Sequence, residues 1–122
     1  MTDPADREIR GVSLLERVDS DPELLAKVID LFLDDSTKTL ADIRNAVASS
    51  DASTIERGAH KLAGALVTLT AKPAADAARR LEEIGREKDL GQAMVALSDL
   101  EQQMKKLRPQ LATVVKSRAV HS

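Results

Sequence analysis

The chain has 122 residues, a net charge of −2 and a hydrophobic fraction of 43%, which suits one domain with a real core. The slightly acidic balance gives no basic footprint for nucleic acid. The absence of cysteine excludes disulfides, thiolate nucleophiles and Cys-based zinc sites.

Phe32 is the one aromatic residue, and glycine and proline are scarce, so the core must be aliphatic and helices are favoured over a turn-rich β fold. Residues 1–11 open on the polar, acidic Met1-Thr2-Asp3-Pro4-Ala5-Asp6, which lacks the form of a signal peptide, and a flexible N-terminus is expected there. No apolar run approaches the ~18 residues of a membrane span, so a soluble cytoplasmic protein is expected. Val12, Leu14, Leu15 and Val18 suggest a short helix over about 12–18.

Asp21 then makes a good N-cap, with Pro22 and Glu23 suited to a first helical turn. The helix that follows is expected to reach about Ser49, with Leu25, Val28/Ile29, Phe32, Ser36, Leu40, Ile43 and Val47 along its inner face. Asp51 or Ser53 can cap the next helix, whose buried stripe is Ile55, Ala59, Leu62, Leu66 and Leu69. That helix is expected to fade near Thr70-Ala71-Lys72. Pro73 begins another, with Ala74, Ala77/Ala78, Leu81 and Ile84 inward, and the stretch from Gly85 to Gly91 reads as the next break. The last helix has the cleanest heptad, Ala93, Leu97, Leu100, Met104, Leu107, Leu111 and Val114. Pro109 inside it should bend the helix without starting a new domain. A flexible tail is expected over 116–122. Residues 12–115 therefore describe an all-α antiparallel four-helix bundle with a short additional N-terminal helix.

His60 is the best functional candidate. At roughly 100° per residue it lies about 140° from the centre of its helix's buried stripe, so it should point to solvent. Gly64 lies one turn further along the same outer surface. An exposed mid-helix glycine costs about 1 kcal/mol against alanine, and a bare backbone there lets a partner approach the imidazole. Val67 offers an apolar contact, and Arg57 and Lys61 are nearby cations. A neutral imidazole is a competent nucleophile, and nearby cations would stabilise a transferred anionic group. His121 lies in the terminal tail with no supporting pattern and is read as non-functional, and a metal site pairing the two histidines is not expected.

Ala59-His60-Lys61-Leu62-Ala63-Gly64 resembles the core of the histidine-containing phosphotransfer (HPt) domain of bacterial two-component phosphorelays. The family pattern is H-x-L-K-G, then five residues and G-A. His60, Leu62, Gly64 and Ala71 occupy pattern positions directly, and Glu23-Leu24-Leu25 with Asp30-Leu31-Phe32-Leu33 is similar to the family's E-L-L…F-L lead-in. The resemblance covers about residues 12–115. Two positions depart from it: Ala63 stands where the family has lysine, and Thr70 where it has glycine. The first bears on transfer rate and phosphohistidine stability, with Lys61 or Arg57 as substitutes. The second bears on the end of the helix.

The resemblance implies a stoichiometric carrier, not an enzyme, with His60 as phosphoacceptor between receiver-domain aspartates. Lys61, Gly64, Arg57, Val67 and Ala63 would be auxiliary or docking residues. It implies response-regulator receiver domains as partners, with a hybrid histidine kinase as a further possible one. The receiver would bring Mg²⁺, and this chain, a monomer, would need no cofactor, nucleic acid or membrane. A histidine-kinase dimerisation domain is the first rival, but that class follows its histidine with an acidic residue and a proline one turn on, whereas Lys61 follows here and the next proline is Pro73. An HPt-like bundle that binds a receiver without transfer is the second, kept open by Ala63. A homodimer through the last helix is the third, opposed by Pro109.

Overall fold

The computed structural model describes residues 21–121, with side chains through Lys116. The expected flexible start and the short helix over 12–18 lie outside the described residues. Four α-helices follow in order: α1 (Pro22–Ala48), α2 (Ala52–Thr68), α3 (Lys72–Glu87) and α4 (Ala93–His121), with a 3₁₀ turn at Leu90–Gln92 before the last. Among the described residues there is no strand.

Each start has a local cause. The Asp21 carboxylate accepts from the Leu24 amide at 3.2 Å and caps α1, with Pro22 in the first turn. Asp51 caps α2 by accepting from the Thr54 amide at 3.2 Å and the Thr54 hydroxyl at 2.6 Å. Those two hydrogen bonds hold the Asp51 carboxyl below its ordinary value. The cap is therefore intact at neutral pH and is lost as acidification carries the solution below the ordinary carboxylate range.

The helices pack in sequence, α1 on α2, α2 on α3, α3 on α4 and α4 back on α1, with the most extensive contact between α2 and α3. Cross-helix pairs fix every neighbour as antiparallel: Lys61 with Asp35, His60 with Glu82, Arg80 with Asp99, and Arg44 with Glu101. The expected stripes are largely the core. Leu25, Ile29, Leu40, Ile43, Ile55, Ala59, Leu62, Leu66, Leu81 and Leu100 are all buried. Ser36 is buried too, its hydroxyl donating to the Leu33 carbonyl at 3.0 Å.

The differences from expectation have physical reasons. At 27 and 29 residues, α1 and α4 far outrun the 17 and 16 of α2 and α3. The beginning of α1 and the end of α4 therefore extend past the loop that joins the two short helices. There Val114 is exposed while Leu25, Ile29 and Leu111 stay buried, and further along α1 Phe32 is half-buried. Leu69, the C-cap residue of α2, is half-buried. α4 passes through Pro109 unbroken and runs on to His121, so the segment over 116–121 is helix where a flexible tail was expected. No glycine or further proline follows Pro109 to stop it.

Gly85 is the clearest correction. It does not break the chain but lies buried inside α3. A Cβ built on it would lie 2.7 Å from the Glu56 amide nitrogen and 2.9 Å from the Ala52 carbonyl oxygen. Glycine is needed here because two helix backbones touch.

Each inter-helix loop turns on one residue in the left-handed region: Ser50 (φ 58°), Thr70 (φ 56°) and Lys88 (φ 59°). Thr70 stands at the position where the family pattern has glycine, and a β-branched residue is poorly suited to that conformation. Thr70→Gly is expected to raise stability by about 1 kcal/mol, relieved strain outweighing glycine's entropy in the unfolded chain. Gly85→Ala is expected to lower it by about 2–3 kcal/mol through overpacking of backbone against backbone. Urea denaturation of the two variants beside the wild type checks both signs.

Candidate functional site

The α2–α3 contact builds the site. With Gly85 seated against Ala52 and Glu56, one turn forward on α2 is His60 and one turn back from Arg86 on α3 is Glu82. The two side chains meet: His60 Nδ1 lies 2.8 Å from Glu82 Oε2. A carboxylate can only accept, so Nδ1 carries the proton and donates it to Glu82. The lone pair of the neutral ring is then on Nε2. The His60 side chain is 76% exposed whereas that of Glu82 is 14% exposed. The carboxylate thus holds the ring at Nδ1 from the sheltered side, while the rest of the imidazole is open to solvent.

Around this pair the charges alternate. Arg86 donates from Nη2 to Glu82 Oε2 at 3.0 Å and from Nε to Glu56 Oε2 at 3.3 Å. Arg57 lies along its own helix, its Nε 3.4 Å from the Ser53 carbonyl oxygen and its Nη2 3.4 Å from Thr54 Oγ1. Among the described residues no carboxylate pairs with it. Glu56, Arg57, His60, Glu82 and Arg86 line one open depression of about 450 Å³.

The other expected site residues divide. Gly64 is exposed, and a Cβ there would meet nothing within 4 Å, so the backbone beside His60 is bare as expected. Val67 is 46% exposed and lines a separate depression of about 400 Å³ with Thr70, Lys72, Ala75, Asp76 and Arg79. Lys61 is drawn aside to α1, where Nζ lies 3.3 Å from Asp35 Oδ1. Both partners are well exposed, so that pair is weak. Ala63 is 4% exposed and belongs to the core, which removes it from any docking surface. It lies one position after Leu62, so the buried face of α2 is wider than the five stripe residues alone.

Sequence reasoning missed Glu82 and Arg86. Their own helix shows them only as ordinary charged residues at i and i+4. The signal was Gly85 between them, which reads as a loop glycine until it is placed against a neighbouring backbone.

A family model, the Hpt domain, matches residues 27–110. The chain belongs to the Hpt domain family. Its fold is also that of histidine-containing phosphotransfer protein B from Pseudomonas aeruginosa PAO1. The two structures are 25% identical in sequence and superpose with a TM-score of 0.75 over 88% of this chain and 92% of the other. A search of curated proteins returned no match. The matched range includes His60, the buried Ala63 and Thr70 with its left-handed φ.

Removing the carboxylate should free the ring. In Glu82→Ala the neutral imidazole of His60 is expected to shift from the Nδ1–H tautomer towards the Nε2–H tautomer, read from the ¹⁵N shifts of its two ring nitrogens. An unchanged pair of shifts would show that the Glu82 contact does not orient the ring.

Proposed function

We propose that this Hpt chain is a histidine phosphocarrier, with His60 accepting a phosphoryl group from the aspartyl phosphate of a receiver domain and passing it to the aspartate of another. The observation that carries this reading is the Nδ1–H···Glu82 hydrogen bond under a ring whose Nε2 faces solvent. The Nε2 lone pair attacks phosphorus, and the bond from phosphorus to the aspartate oxygen breaks, returning a carboxylate to the receiver. The ring becomes cationic as the nitrogen–phosphorus bond forms, and Glu82 offsets that charge through the proton it already holds on Nδ1. The reverse sequence, on a second receiver, releases the group.

Phosphoryl transfer asks chiefly for positioning and charge stabilisation. Here a helix fixes the nucleophile, and Gly64 leaves room for a receiver loop. Arg57 is the cation best placed to meet the phosphoryl oxygens, since Lys61 is paired with Asp35 and Arg86 with two carboxylates. Val67 and the depression around it extend the docking face. The receiver would supply Mg²⁺ and most of the catalytic groups, so the chain acts stoichiometrically. A hybrid kinase carrying a receiver is a partner of the same chemistry. The buried Ala63 favours one other reading, a bundle that binds a receiver without transfer.

A radiolabelled phospho-receiver separates the two. Wild type is expected to gain an acid-labile, alkali-stable label, and His60→Gln none. Absence of label from several phospho-receivers, with receiver binding still detectable, would exclude the relay and leave the binding-only bundle.

A further inference from the structure

One oxygen atom at the site has two donors. Glu82 Oε2 accepts from His60 Nδ1 at 2.8 Å and from Arg86 Nη2 at 3.0 Å. The same guanidinium reaches across to α2, with Nε 3.3 Å from Glu56 Oε2, one turn before the histidine. Arg86 therefore ties the carboxylate beneath the imidazole to the helix that carries the imidazole.

We propose that Arg86 is a positioning residue for His60, acting through Glu82. A glutamate side chain has three rotatable bonds, and a single hydrogen bond to an exposed imidazole does not by itself fix its carboxylate. Arg86 supplies the second bond to the same oxygen, and its contact with Glu56 stops the guanidinium from following Glu82 into solvent. A planar fork with several donors suits this double grip; a lysine offers one ammonium in its place. The cation enters from α3. At position 63 of α2, where the family pattern has lysine, this chain has a buried alanine.

The bland alternative is that Glu82–Arg86 is one more i,i+4 surface pair, like Lys38–Asp34 or Lys72–Asp76. Such pairs contribute little to stability, and removing one would not alter a histidine on another helix. The shared oxygen distinguishes this pair, for neither of the other two contacts a histidine.

The inference rests on the phosphocarrier reading for its purpose, but its test is made on the unphosphorylated chain. Long-range ¹H–¹⁵N spectra of the full-length protein, at a pH alkaline enough for a neutral ring, report the tautomer of His60. The wild type is expected to be mainly Nδ1–H. Arg86→Gln should move the population most of the way to that of Glu82→Ala, and Arg86→Lys should recover part of the difference. Transfer from a phospho-receiver should slow roughly tenfold in Arg86→Gln, as for other residues that orient a functional histidine from behind. Arg86 is well exposed, and an unchanged melting temperature verifies that the bundle is intact. Should Arg86→Gln fail to fold, Glu56→Gln, which loosens the other anchor of the guanidinium, is expected to give a smaller shift of the same sign. A wild-type tautomer ratio in the folded Arg86→Gln protein, or in Glu56→Gln where that variant must stand in, overturns the proposal. A chain that shows the expected tautomers but never takes up label refutes the relay alone.

Discussion

The backbone contact at Gly85 is the constraint on which the site depends. Two antiparallel helices that touch at Gly85 and Glu56 have little freedom to slide, because any displacement drives a side chain into the gap that the glycine leaves. Once that register is set, His60 faces Glu82 and Glu56 faces Arg86. Gly58 plays a softer part on the other side of α2, where a Cβ would lie 2.8 Å from Ile43 Cγ1 of α1. The alanines of α2 and α3, among them Ala59, Ala74, Ala75 and Ala78, keep the same spacing small along the rest of the contact. A core with almost no aromatic side chains thus gives close helix packing, and close packing gives a rigid mount for one exposed imidazole.

Charge at the site is arranged by depth. Glu82 is the most sheltered of the ionised groups around His60, and it has two donors. The pairs further out, such as Lys61 with Asp35, are solvated and readily exchanged. A docking partner could displace those outer pairs at little cost while the inner group keeps its geometry. Arg57 has no carboxylate partner among the described residues and lies exposed along its own helix. The same division runs along the face as a whole: a charged depression at His60, a bare backbone at Gly64 and a more apolar depression at Val67.

The unequal helix lengths shape the rest of the molecule. Where all four helices run side by side, the core is closed and the stripes are buried to within a few per cent of full coverage. Beyond the Thr70 loop only α1 and α4 continue, and Val114 near the end of α4 is left exposed. His60 lies within the four-helix part, where backbone motion is most restrained by packing.

The sequence alone determined the all-α bundle, its four main helices and the outward direction of His60 and Gly64. Those follow from the periodicity of apolar residues and from caps such as Asp21 and Asp51, which are properties of one helix at a time. It also marked Thr70 as a departure at a turn, and Thr70 takes a left-handed φ there, a conformation that suits glycine. Tertiary structure decided what periodicity within a helix cannot express: that Gly85 is a point of contact rather than a break, that Ala63 faces inward, that Lys61 turns to α1, and that Glu82 and Arg86 belong to the histidine. Each of these depends on the register between two helices. That register is fixed by backbone-to-backbone packing across some 20 to 30 residues of sequence, a distance over which no local pattern carries information.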